Sequence, residues 1–206
     1  MSESARAPRL YLVTDRGRTH GRPLLEVIHR ALAGGVDTVQ LRERDLDTRE
    51  LVLLARDALE LCRKHQARLL INDRIDVALA VGADGVHLPA SSFSPADARR
   101  LLGADGWIGV STHSHHEART ALAEGADFVV YGPIFDTESK RPYGAPLGVE
   151  SLNELCRGGT GPVVAIGGIN AGRASQLRAA GAHGIAVIGA ILEAPDPQAA
   201  ASDLCA

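Results

Sequence analysis

The sequence is short of aromatic residues, of lysine and of long apolar runs, and each shortage removes a class of function. Phe, Trp and Tyr together make up 3% of the 206 residues and the formal net charge is −3. A nucleic-acid surface would need a basic face and usually stacking rings, so no nucleic-acid partner is expected. No apolar stretch approaches the roughly 18 residues of a membrane-spanning helix. The start, Met1 to Arg9, is polar and basic and lacks the apolar segment of a secretory signal. A cytoplasmic protein without a membrane partner is expected. Cys62, Cys156 and Cys205 are odd in number and lack CxxC spacing, which argues against a disulfide framework or a zinc site. Lys64 and Lys140 are the sole lysines, and Lys140 stands in a polar loop beside Arg141. A Schiff-base aldolase would need a desolvated lysine, typically on a strand, so that chemistry is set aside.

What the chain does have is enough apolar material, 45% of its residues, for one substantial core. One domain over residues 1–206 is the simplest organisation. A near-repeat runs through it: Ala33-Gly-Gly-Val-Asp37, Val81-Gly-Ala-Asp84, Glu124-Gly-Ala-Asp127 and Ala180-Gly-Ala-His183, each followed by an apolar run. Glycine suits the left-handed position just past a helix, and such a run suits a strand buried on both faces. The runs are residues 38–41, 85–88, 128–131 and 184–187, and further strands are expected at 9–14, 68–72, 107–111 and 162–166. Between them, apolar spacings such as Leu24, Val27, Ile28 and Ala31 are helical. Capping boxes are expected at Asp47-x-x-Glu50 and Ser114-x-x-Glu117, and Ser94-Pro95 is a third helix start. Strict alternation of strand and helix implies a parallel sheet, and eight such units close into a single (β/α)8 TIM barrel. The rival is an open doubly wound sheet, which gives no reason for a repeat spanning the whole chain.

In such a barrel the working groups come from the carboxyl ends of the strands. Gln40, Arg42 and Arg44 alternate at the end of the second strand and share a face, where two guanidiniums repel unless an anion joins them. The competing arrangement is a salt bridge to Glu43 or Asp45. Gly167-Gly168 before a helix starting near Asn170, and Gly189 after the last strand, resemble the phosphate site that barrels build after strands seven and eight. The long loop from Pro133 to Leu147, with Thr137, Ser139 and Lys140, is expected to be a lid with Lys140 as a phosphate clamp. Asp73 is suited either to Mg²⁺ or to capping the helix that follows. His115 and His116 are expected on a solvated helix face rather than on a metal.

Taken in order, Gln40-Leu-Arg-Glu-Arg44, Ile71-Asn-Asp73, Gly85-Val-His-Leu88, Gly109-Val-Ser-x-His113, Gly132-Pro-Ile, Thr137-x-Ser-Lys140, Ala165-Ile-Gly-Gly-Ile169 and Ile188-Gly189 resemble the thiamine-phosphate synthase and TenI family. The resemblance implies transferase chemistry of thiamine biosynthesis. In it, 4-amino-2-methyl-5-hydroxymethylpyrimidine diphosphate and a thiazole phosphate, plain or carboxylated, give thiamine phosphate and pyrophosphate. It further implies that the diphosphate leaves first with the help of Mg²⁺. Carried over to these positions, Gln40, Arg42, Arg44, Asn72, Ser111 and Lys140 would bind the pyrimidine diphosphate. Arg42, Arg44, Ser111 and Lys140 would be the catalytic set. Thr137, Ser139, Gly168, Ile188 and Gly189 would hold the thiazole phosphate, and Asp73 the Mg²⁺.

The chain departs from the family pattern at three places. Ser92, in Ala90-Ser91-Ser92, stands where synthases commonly place a second metal-binding aspartate, and Arg44 replaces a lysine. Leu88-Pro89 and Phe93-Ser94-Pro95 look more like the TenI branch. That branch carries a catalytic histidine after Gly132, where this chain has Pro133, which cannot shuttle a proton. A TenI-type tautomerase and a noncatalytic binder of thiazole or thiamine phosphate are the alternatives. A homo-oligomer is compatible with the sequence.

Overall fold

The computed structural model describes residues 6–137, 145–159 and 161–206. Strands β1 (Leu10–Val13), β2 (Thr38–Leu41), β3 (Arg68–Asn72), β4 (Gly85–Leu88), β5 (Trp107–Thr112), β6 (Phe128–Tyr131), β7 (Val163–Ile166) and β8 (Gly184–Val187) pair in parallel in chain order. The barrel closes where β8 pairs with β1. Helices α1 (Leu24–Ala33), α2 (Thr48–Lys64), α3 (Ile75–Val81), α4 (Pro95–Leu102), α5 (His115–Ala123), α6 (Gly148–Arg157), α7 (Ala171–Ala179) and the one-turn α8 (Gly189–Leu192) follow the strands in alternation, and α9 (Pro197–Cys205) follows α8. This is the expected TIM barrel.

The strands are short and apolar on both faces because each face has its own core. Leu10 and Leu12, Leu69 and Ile71, Val129 and Tyr131, and Ile185 and Val187 join the large cluster beneath the helices. The residues between them, Tyr11, Leu70, Phe128, Val130, Val164 and Ala186, fill the barrel's interior. Side chains of a strand alternate in direction, so this parity fixes which residues look inward at every strand end.

The repeat glycines Gly35, Gly82, Gly125 and Gly181 all adopt positive φ, between 68° and 105°, as the sequence led us to expect. Asp47 and Glu50 form the reciprocal capping box, and Ser94 caps α4 with Pro95 in its first turn. The second expected box is only half made. Ser114 caps α5 through the Glu117 N–H, but the Glu117 carboxylate accepts from the N–H of His113, one residue earlier than a box requires. The helix α9 was not anticipated, although Asp196-Pro197 is a helix start; the Asp196 carboxylate accepts from the N–H groups of Gln198 and Ala199.

Candidate active site

Parity sets out the mouth. Val39 and Leu41 face the helices, so Gln40 and Arg42 face inward; Ile71 and Val86 face the helices, so Asn72 and His87 face inward. Ser111 follows Val110 in the same way. Gln40 is 3% exposed and its Nε2 donates to Asn72 Oδ1 at 2.9 Å, linking β2 to β3.

Arg42 and Arg44 have no ion pair among the described residues. The acids that competed for them are engaged elsewhere. Glu43 turns away from the mouth and is buried, accepting from Thr14 Oγ1 at 2.6 Å and from the Arg16 N–H at 3.1 Å. Asp45 takes the two-pronged guanidinium of Arg16 at 2.7 and 2.6 Å. The Arg42 guanidinium is half-buried and its pKa is lowered, first by burial and then by the cation of Arg44, with Asp15 and Glu43 opposing. A cavity of about 630 Å³ lies beside the pair, lined by Asp15, Arg16, Thr19, Arg22, Arg42 and Arg44.

Two buried groups lie at the floor of the mouth, His87 at the end of β4 and Tyr11 on β1, of which the sequence did not mark Tyr11. His87 is 2% exposed, with Nε2 2.8 Å from Ser111 Oγ and Nδ1 3.3 Å from the Tyr11 hydroxyl. Burial, reinforced by the Arg42 cation, pushes the imidazole down to about 3, so it is neutral under working conditions. Burial likewise raises the Tyr11 phenol well above its ordinary value. His87 stands in the quoted stretch Gly85 to Leu88 and Tyr11 within the strand expected at 9–14, but nothing local marks a tyrosine on the first strand as the partner of a histidine on the fourth.

Asp73 sits in the left-handed region with φ 66° and its N–H donates to His87 O at 2.9 Å. It does not cap the next helix, whose N-cap is Arg74 without a side-chain bond. The Asp73 carboxylate instead accepts a short hydrogen bond from the Ser92 hydroxyl. Those two expected metal positions therefore adjoin. Among the described residues there is no group of three or more His, Cys, Asp or Glu that could enclose a metal ion. One carboxylate and one hydroxyl suit Mg²⁺, which keeps waters and takes substrate phosphate oxygens, far better than a metal needing a full protein cage.

Across the same rim, after β7, Gly167 and Gly168 have φ 103° and 64°. A Cβ on the first would strike Pro133, and one on the second would lie 2.8 Å from Phe135 Cβ. The pair thus lets the segment after β6 lie against β7, where the N–H groups of Ile134 and Phe135 donate to Ile166 O and Gly167 O at 2.8 and 3.1 Å. Arg173, another residue the sequence did not mark, donates to Gly168 O at 2.5 Å and stacks over Phe135 at 4.4 Å. The N–H groups of Gly167 and Gly168 donate to no described residue. The helix expected to start near Asn170 is α7, and the Asn170 side chain caps it by accepting from the Arg173 N–H. Thr137 Oγ1 is buried without a hydrogen-bond partner among the described residues. Ile188 and Gly189 lie at the start of α8, under the Arg18–Glu193 ion pair. Ser139 and Lys140, and with them the middle of the expected lid, lie outside the described residues.

His116 is exposed, but His115 is not on a solvated face: its Nε2 lies 2.8 Å from Ser151 O and its ring meets Tyr131. The helix α5 carries it against α6, a contact that its own flanking residues do not encode.

Comparison with known proteins adds an independent line. A family model described as "Thiamine monophosphate synthase" matches residues 10–191. A thiamine-phosphate synthase from Solidesulfovibrio magneticus is 51% identical over 197 residues, covering 96% of this chain and 93% of that one. A putative thiamine-phosphate synthase from Geobacter sulfurreducens is 50% identical over 197 residues, covering 96% and 92%. The solved structure of a thiamine phosphate pyrophosphorylase from Pyrococcus furiosus superposes with a TM-score of 0.86 at 36% identity, covering 95% and 93%.

Proposed function

Because the chain belongs to the thiamine monophosphate synthase family, we propose that it is a transferase that couples 4-amino-2-methyl-5-hydroxymethylpyrimidine diphosphate to a thiazole phosphate, releasing pyrophosphate. The observation that carries the reading is the pair Arg42 and Arg44 at the barrel mouth, without an ion pair among the described residues, beside inward-facing Gln40, Asn72 and Ser111. Breaking the bond between the pyrimidine's methylene carbon and the diphosphate sends the electron pair away with the leaving oxygen. The guanidiniums of Arg42 and Arg44, with Lys140, receive that charge, and the hydroxyl of Ser111 donates to it; fixed donors of this kind stabilise charge where it develops. The thiazole nitrogen then gives its lone pair to the methylene carbon.

Gln40 and Asn72, tied to each other, would orient the pyrimidine diphosphate. Gly168, Gly189 and Ile188 would present backbone N–H groups to the thiazole phosphate, and the hydroxyls of Thr137 and Ser139 would complete that site. The Thr137 hydroxyl, buried and without a hydrogen-bond partner among the described residues, supports this assignment. Asp73, with Ser92 on its carboxylate, would hold Mg²⁺, which when bound offsets the diphosphate charge. A cytosolic setting is part of the proposal, and the three free cysteines suit a reducing compartment.

The decisive experiment gives the purified protein Mg²⁺ and both substrates and follows pyrophosphate and thiamine phosphate. Formation of both is expected. Tight product binding without turnover would identify a binder, and metal-free interconversion of thiazole phosphate isomers a tautomerase; either would displace the synthase reading.

A further inference from the structure

We propose that Tyr11 and His87 form a buried hydrogen-bond relay that fixes Ser111 as a donor pointing into the barrel mouth, which makes His87 a positioning residue. The proposal rests on the reading of that mouth as the diphosphate site. Its premise is proton bookkeeping inside the barrel. Tyr11 is buried in the same cluster as Leu70, Phe128, Val130 and Val164, and among the described residues its hydroxyl has His87 Nδ1, at 3.3 Å, as sole hydrogen-bond partner. A buried phenolic proton without an acceptor is costly, so Tyr11 donates and Nδ1 accepts.

The proton of the ring then resides on Nε2, which faces Ser111 Oγ at 2.8 Å. That N–H occupies a lone pair of the serine, and the serine's own proton is left to point away from His87, toward the mouth. A doubly protonated ring would dictate the same outcome at Ser111; only the tautomer with hydrogen on Nδ1 would reverse it. Packing holds the ring in place. A Cβ on Gly109 would come within 3.0 Å of His87 Nδ1 and 2.4 Å of the Phe128 ring, so β5 has a glycine where the imidazole needs room. The rings of Tyr11 and Phe128 lie 5.8 and 6.4 Å from it. No proton is transferred in this scheme. The relay sets the direction of one hydroxyl before substrate arrives, which is how a preorganised donor avoids reorganisation during the reaction.

The first test needs no variant. Nitrogen-15 NMR of the histidine side chains in the wild-type protein should show His87 with hydrogen on Nε2 and a bare Nδ1, and Tyr11→Phe should produce a mixture of tautomers. Hydrogen on Nδ1 in the wild type overturns the proposal. The second test is a cycle of coupling rates. His87→Leu should lower kcat/KM by about 10- to 100-fold when Ser111 is present and by less than about threefold on a Ser111→Ala background, whereas His87→Gln, which keeps an N–H near Nε2, should recover most of the loss. Equal losses on both backgrounds would show that His87 acts through something other than Ser111. Should His87→Leu fail to fold, the NMR result and Tyr11→Phe kinetics decide. An inactive wild type with hydrogen on Nε2 would sink the synthase reading and leave the relay; an active wild type with hydrogen on Nδ1 would sink the relay alone.

Discussion

Arg42 is held half-buried with its nearest acids committed to other partners, an arrangement that folding by itself does not reward. Arg42→Met should therefore leave thermal stability unchanged or higher while lowering kcat/KM by about 10²- to 10³-fold, the scale of losing a charged donor to a departing anion. A fall in melting temperature with coupling preserved would make Arg42 structural. Ser92→Asp sets a second carboxylate beside Asp73, so the Mg²⁺ concentration giving half-maximal rate should drop; an unchanged requirement would remove Ser92 from the metal. The relay histidine has a signature in stability. Its pKa in the fold is about 3 against about 6.5 in the unfolded chain, so between those values the unfolded chain binds the extra proton. Stability must then decline as pH falls through that window, by up to about 1.4 kcal/mol per pH unit. Urea unfolding between pH 4.5 and 7 should show a shallower decline in His87→Gln than in the wild type, and equal slopes would mean that the buried imidazole is not neutral.

At the scale of elements, the sequence was most legible where the signal is local. Glycines at helix-to-strand junctions, apolar runs and caps located the strands to within a residue or so, because each depends on a few neighbours in the chain. Contacts between distant segments were not legible. Glu43 was a poor partner for Arg42 on strand alternation alone, but nothing near it showed that a threonine and an arginine from the first β/α connection claim it. Asp73 suited a cap as well as it suited Mg²⁺, and what decides against the cap is remote: its N–H pairs with β4 and its carboxylate meets the loop before α4. The glycine pair after β7 was read for its bare N–H groups, and its second role, admitting the segment after β6, appeared only with the two strands side by side. That second role is testable. Gly168→Ala combines a left-handed φ with contact against Phe135 and Asp136, and should cost about 1–3 kcal/mol of stability. It should also raise KM for the thiazole phosphate, since the segment that leads to Thr137 must shift; loss of stability with KM unchanged would separate the segment from that substrate.

Across the whole molecule, the two ends of the barrel divide the labour. The carboxyl rim gathers inward-facing polar groups with few partners, whereas the opposite end is tied down. Asp37, Asp84 and Asp127 each accept an N–H at the start of a neighbouring strand, from Arg9 just before β1, from Leu69 on β3 and from Ile108 on β5, at 2.8 to 2.9 Å. The last helix belongs to this stabilising end. Leu204 of α9 is 2% exposed, its carbonyl is bound by Arg178, and the same helix packs so closely on α1 that a Cβ on Gly34 would overlap Gln198 O. The helix therefore covers the region where the first and last strands close the barrel, and its contribution should be to stability alone. Leu204→Ala should remove about 2–4 kcal/mol from the free energy of unfolding and lower the melting temperature by several degrees. Measured at a temperature where the variant remains folded, its kcat/KM should stay within about twofold of the parent, because sites far apart without shared partners act independently. A parallel collapse of coupling activity would mean that closure at the base of the barrel sets the geometry of its mouth.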